Sequence, residues 1–194
     1  MAATLETLLA EREIRALVHR YCRAADRCDR ALFKSCYWPD ARDNHGFFSG
    51  SAHAFVDYVV PILEQALSTT HSISNHAIEI DGDRACGEAY VHVTHRLARP
   101  DGTLVDNQSC CRYIDLYERR GGEWKIAFRA AVLDSMTNDV VYLGSKPAHV
   151  NDGDPRHSPA RLGPADPAYA GFDARRLDVP DFAFPDFWGF VLAG

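Results

Sequence analysis

The sequence predicts an α+β fold in which helices come first and an antiparallel hairpin sheet follows. Three observations carry this. Apolar residues recur at helical spacing through about residue 67. Beyond that the runs lengthen and alternate, punctuated by Asp81-Gly82-Asp83, Pro100-Asp101-Gly102 and Gly121-Gly122, each a turn signal. Seven of the ten prolines stand at Pro147 or later, which divides the chain into a domain over residues 1–140 and a Pro- and aromatic-rich extension over 141–194.

The first helix is predicted from Leu5 to about Cys28, with Leu8, Leu9, Ile14, Leu17, Val18, Tyr21, Cys22 and Ala25 on one side and Glu and Arg on the other. Asp29 can cap a second, short helix from Arg30 to about Cys36, because a carboxylate accepts the free N–H groups at a helix start; Pro39 ends it. A third helix spans about Ala52 to Leu67, bent at Pro61. Strands over Thr70 to Ile80, Arg84 to Ala98, Leu104 to Glu118 and Glu123 to Ser135 then form a curved meander that the helices cover on one face. Asp43-Asn44-His45-Gly46 falls between helices and reads as a loop at a pocket mouth; a strand there would put Asp43 and His45 on one face.

Composition narrows the partner. With 194 residues, 46% of them hydrophobic, the chain can bury a real core, and a formal charge of −6 gives no electrostatic reason to expect nucleic acid or an anionic membrane surface. A small hydrophobic molecule fits better. No apolar run approaches the roughly 18 residues a membrane span needs, and the first residues lack the basic-then-apolar order of a signal peptide, so a cytoplasmic location is expected. Cys22, Cys28, Cys36, Cys86, Cys110 and Cys111 contain no C-x-x-C pair and read as reduced thiols in small core spaces. No metal is expected: Asp43 and His45 lack a third ligand nearby. Nucleotide-binding glycine loops, a G-x-S-x-G elbow and H-E-x-x-H are absent as well, so no cofactor is expected.

Several polar side chains stand where apolar ones should be. On the first helix Ile14, Val18 and Cys22 step by four along the buried face, and the next member is Asp26. It is either a polar helix end turned outward or a buried carboxylate, which is costly without a partner. His71 shares a strand face with Ile73 and Asn75, and His95 shares one with Ala89, Val91 and Val93. A single histidine there would be a core residue; two on neighbouring strands, with Asp26 aimed at the same interior, favour a site. The next strand places Cys111, Tyr113, Asp115 and Tyr117 on one face, where Tyr113 is either a packing aromatic or a hydrogen-bond donor to a ligand.

Three stretches carry a resemblance: Ile14-Arg15-Ala16-Leu17-Val18-His19-Arg20-Tyr21-Cys22 leading to Asp26, Cys36-Tyr37-Trp38-Pro39-Asp40-Ala41, and Tyr117-Glu118-Arg119-Arg120-Gly121-Gly122-Glu123-Trp124-Lys125-Ile126. Over about residues 8 to 135 the chain resembles the SnoaL-like branch of the nuclear transport factor 2-like (cystatin-like) superfamily. The resemblance implies a cone-shaped curved sheet, antiparallel or mixed, around a pocket closed by the helices. Two enzymes of that fold, scytalone dehydratase and lindane dehydrochlorinase, share an Asp-His dyad whose positions Asp26 and His71 match, and His95 matches the second histidine of the dehydratase. Where the dehydratase has Ser and Asn on the third long strand, this chain has Cys111 and Tyr113. The same branch includes bile-acid dehydratases and lyases that remove formaldehyde from lignin-derived diarylpropanes.

The resemblance therefore implies a cofactor-independent lyase or dehydratase acting on a small aromatic or polycyclic molecule. His71 would be the general base, oriented by Asp26, with Tyr113, His95 and Tyr21 as donors to a developing oxyanion and Asn75, Cys111 and His45 as further substrate contacts. The alternatives are a ketosteroid-isomerase-like proton shuttle with a carboxylate base, a non-catalytic hydrophobic binder, and a structural dimerisation partner. A homodimer or homotrimer is expected. The aromatic extension, with Tyr169, Phe172, Phe182, Phe184, Phe187, Trp188 and Phe190, is expected to lie over the pocket mouth or a neighbouring subunit.

Overall fold

A computed structural model describes residues 4–141 and 148–150. Helix α1 (Leu5–Asp26) starts at a reciprocal cap: the Thr7 N–H donates to Thr4 Oγ1 at 3.2 Å and the Thr4 N–H to Thr7 Oγ1 at 2.9 Å. Its predicted apolar row is the face it buries, with Ile14, Val18, Tyr21 and Cys22 all inside. The helix stops in a left-handed turn. The Cys28 N–H donates to the Ala25 carbonyl and the Asp29 N–H to that of Ala24, which satisfies two free carbonyls with Cys28 at a φ of +50°. A side chain in that region costs about 1 kcal/mol, and it lies two residues from Asp26. Asp29 then caps α2 (Arg30–Ser35) by accepting the Leu32 N–H at 2.9 Å.

Strand β1 (Tyr37–Asn44) occupies the stretch read as the end of a helix and a loop. It pairs in parallel with the last long strand, and Pro39 does not break it because it falls in the irregular interval between Tyr37 and Arg42, where the register shifts. Strand β2 (Ser49–Ser51) folds back on β1 and leads into α3 (Ala52–Leu63). That helix ends four residues short of Leu67, two residues after Pro61, whose ring removes a backbone donor from the last turn.

The meander consists of β3 (Ser68–Asp81), β4 (Arg84–Ala98), β5 (Leu104–Arg120) and β6 (Glu123–Val141), longer than the sequence suggests at several ends. Gly121 and Gly122, at φ of +61° and +85°, make the tight β5–β6 turn. The sheet order is β2-β1-β6-β5-β4-β3, and β7 (Ala148–Val150) pairs with β6, so the sheet crosses the expected boundary at residue 140. The rest of the extension, and the expectation that it covers the pocket, lie outside the described residues. Irregularities interrupt the β3–β4 register once and the β5–β6 register twice. Such bulges bend strands and curl the sheet around α1 and α3. The result is the α+β class that the sequence predicts, with a curved sheet made mixed by the parallel pairing of β1 with β6.

The core between helices and sheet is strongly aromatic. Tyr21 meets Phe33, Tyr37 and Tyr113 edge-on at centroid distances of 4.7, 5.9 and 5.6 Å. All six cysteines are free thiols, and Cys22, Cys36 and Cys86 are buried. No helix among the described residues is long and apolar enough to cross a membrane.

Candidate active site

A cavity of about 110 Å³ opens between the helices and the concave face of the sheet. Its walls are mostly apolar: Phe33, Phe47, Phe55, Val59 and Leu63 from the helical side, Val93, Leu133 and Met136 from the strands. The polar groups on it are few. His71, His95, His45, Tyr21, Tyr113, Asn107, Ser109 and Cys111 all reach the wall.

Asp26 is the last residue of α1, and packing of α1 against β3 sets it on His71. The His71 backbone N–H donates to Asp26 Oδ2 at 3.1 Å, and His71 Nδ1 lies 2.6 Å from Asp26 Oδ1. A carboxylate only accepts, so Nδ1 carries the hydrogen and Nε2 is the ring nitrogen left with a lone pair. Both oxygens of Asp26 are occupied by the same residue. The side chains are nearly buried, at 9% exposure for His71 and 14% for Asp26.

His95 stands on β4 with its ring 5.8 Å from that of His71, at 75°. Burial, reinforced by the neighbouring His71, pushes its pKa down to about 3, so it is a neutral hydrogen-bonding group at ordinary pH. Burial likewise holds the Tyr21 and Tyr113 hydroxyls far above the ordinary phenol value and the Cys111 thiol up at about 12, so all three remain protonated. Asn75 is not at the site. The register irregularity between Ile73 and His76 reverses the alternation, so that Asn75 is exposed and His76 turns inward.

Two features escape a strand-by-strand reading. The first is a second carboxylate-histidine pair. Asp43, on β1, is fully buried; it accepts a hydrogen bond from the Tyr37 hydroxyl at 2.5 Å and bonds His45 Nδ1 through its other oxygen. The His45 ring stacks on Phe55 with centroids 4.1 Å apart and planes 13° from parallel. The two-residue spacing of Asp43 and His45 signals a common face, but Tyr37 has no sequence signal.

The second is a buried ion pair beneath the cavity. Arg129 donates to Asp115 through Nε and Nη2 at 2.7 and 2.6 Å, with both side chains fully buried. Burial works against the guanidinium charge, and the charge and hydrogen bonds of Asp115 together with Tyr21 and Tyr37 more than offset it, so the pKa of Arg129 lies well above its ordinary value. The guanidinium lies 3.9 Å from the Tyr21 ring centroid and 3.8 Å from that of Tyr113, so the cation fixes both rings of the cavity wall. Plain alternation from Trp124 through Ile126 and Phe128 would send Arg129 outward. The β5–β6 register skips Ala127, which pairs Arg129 with Asp115 instead. Tyr117 donates to Asp115 at 2.7 Å, leaving its oxygen to accept from His76 Nε2 at 3.4 Å.

His76 and His95 give a test by pH. Burial lowers the His76 pKa to about 4, against about 6.5 in an unfolded chain. The unfolded chain then binds more protons below pH 6.5. Stability is fully present above that value and is lost as the pH falls toward 4 for His76 and 3 for His95. By pH 5 the loss should be roughly 2 kcal/mol per histidine. Urea unfolding at neutral pH and at pH 5 measures it; His76→Gln should flatten the dependence, and equal stability at both pH values would refute the assignment.

Among the described residues no group of three or more His, Cys, Asp or Glu is gathered as a metal site. The family model for the SnoaL-like domain matches residues 6–130. The chain belongs to the SnoaL-like domain family. Among solved structures, this SnoaL-like protein is similar to hexachlorocyclohexane dehydrochlorinase LinA-type3 from Novosphingobium barchaimii, with a TM-score of 0.62 and 19% identity over 70% of this chain and 94% of that one. A candidate scytalone dehydratase from Novosphingobium aromaticivorans gives 0.61 and 20% over 72% and 96%. A cystatin-like protein of unknown function from Nostoc punctiforme gives 0.55 and 20% over 69% and 96%. At these identities the likeness is one of fold. No curated protein matches the sequence.

Proposed function

We propose that this SnoaL-like protein is a cofactor-independent lyase that removes a proton from carbon in a small hydrophobic molecule and expels a leaving group from the neighbouring carbon. The observation that carries the reading is the His71–Asp26 pair on the wall of an apolar cavity. Nδ1–H is committed to the carboxylate, which fixes the tautomer and would stabilise the imidazolium formed when Nε2 takes a proton. Neutral His95 and the hydroxyls of Tyr113 and Tyr21 are the donors available to an oxygen that gains negative charge. Dehydrochlorination and dehydration, the reactions named for the similar folds, are both eliminations of this kind. A carboxylate base of the isomerase type is disfavoured because both Asp26 oxygens already hold His71.

Benzylacetone and its β-hydroxy and β-chloro derivatives test the reading without a known substrate. In heavy water the protein should catalyse deuterium uptake at the carbon next to the carbonyl of benzylacetone, and convert the derivatives to benzalacetone. Binding with neither reaction would make it a non-catalytic pocket.

A further inference from the structure

The cavity holds a second histidine with a carboxylate behind it, and the proton-abstraction step leaves that pair without a task. Asp43 is fully buried at the base of β1, and its two oxygens are taken by the Tyr37 hydroxyl and by His45 Nδ1. A turn presents the histidine: Asn44 Oδ1 accepts the Gly46 N–H at 2.9 Å, and the His45 N–H donates to the Phe48 carbonyl at 2.8 Å. Stacking on Phe55 fixes the ring plane. With Nδ1 bound to Asp43, the free ring nitrogen is Nε2, on a residue that lines the cavity. This repeats the construction of His71 on Asp26, from the other end of the sheet path, with β6, β5 and β4 between the two strands.

Elimination needs two proton transfers only when the leaving group is a strong base. Chloride departs unprotonated, whereas hydroxide or an alkoxide leaves a barrier that a positioned acid lowers by about 10²- to 10⁴-fold. The other polar groups on the wall are poor acids for this. Burial holds the Tyr21 and Tyr113 hydroxyls firmly protonated and keeps His95 neutral.

We propose that His45, backed by Asp43 and Tyr37, is the general acid of this site, and that its substrate therefore loses water or an alcohol rather than a halide. The proposal rests on the reading of His71 as the base. In the step, His71 Nε2 takes the proton from carbon and the C–H pair becomes the second bond of the alkene. The C–O bond breaks with its pair on oxygen; His45 enters the step as the imidazolium, with Nδ1–H held by Asp43, and its Nε2 proton joins that oxygen to form water or the alcohol. His71 ends with one proton more and His45 with one fewer, and exchange with solvent restores both.

The β-hydroxy and β-chloro derivatives of benzylacetone yield one product and differ only in the leaving group, so their ratio isolates the acid. In His45→Gln, water loss should fall about 100-fold or more relative to chloride loss, and Asp43→Asn should shift the ratio in the same direction. Tyr37→Phe keeps every ring in place and should lower the ratio several-fold, which preserves the test if Asp43→Asn fails to fold. Equal losses for both derivatives would overturn the proposal and make His45 a positioning residue, while leaving the base reading intact. If the unaltered protein promotes neither elimination nor deuterium uptake by benzylacetone, the base reading falls and the acid with it.

Discussion

Replacing His71 by alanine should lower elimination from β-hydroxy benzylacetone by about 10²- to 10⁴-fold, with the circular dichroism spectrum unchanged. The ring is at the cavity wall and its Nδ1 is bonded to Asp26, outside the Tyr21, Phe33, Tyr37 and Tyr113 cluster, so its loss removes the base without opening the aromatic core. Asp26→Asn should be damaging for a different reason. The asparagine retains an acceptor for one of the two His71 N–H groups and offers the other an amide NH₂, so the imidazole loses its fixed tautomer and the charge that stabilises the imidazolium. The order of the two effects separates mechanisms. A histidine base predicts that His71→Ala is at least as severe as Asp26→Asn; a carboxylate base predicts the reverse. Full turnover in both variants would eliminate the dyad.

The largest effect on stability should come from Arg129. Asp115→Leu or Arg129→Met should each cost about 3–5 kcal/mol, because either leaves its partner as an uncompensated charged group where neither side chain has any exposure. Urea unfolding of the single variants measures this. Arg129→Met combined with Asp115→Leu should recover much of the loss, since removal of both charges also removes the desolvation cost. Additive losses in the double variant would refute the coupling. The single variants should also disturb the cavity, because Tyr21 and Tyr113 hold their places against the guanidinium.

Local pattern made part of this site legible. The four-residue step on α1 placed Asp26 inward, and regular alternation on β4 and the upper part of β3 placed His95 and His71 on the same interior. Those inferences need only the pitch of a helix and the pleat of a strand. Asn75 shows where such reasoning ends: one irregularity after Ile73 turns it to solvent and brings His76 in. Arg129 is the same lesson on β6, where the skipped Ala127 pairs a residue of the wrong parity with Asp115. Strand β1 was hidden for another reason. Its parallel partner lies more than 80 residues away, and Pro39 argues against a strand unless the register shift around it is known.

By itself the sequence determined the fold class and the order of helices before hairpins, and it marked Asp26, His71 and His95 as polar residues on candidate interior faces, because each follows from short-range periodicity and turn chemistry. The pairing of Asp26 with His71 was only what the resemblance implied. Only the tertiary structure decided that the sheet takes in β1 as a parallel strand, that Tyr37, Asp43 and His45 form a second histidine pair on the same cavity, and that Arg129 is locked under it by Asp115 and two tyrosine rings. Bulges and long-range pairing set those positions. Both arise from contacts between distant segments, which single-strand alternation does not encode.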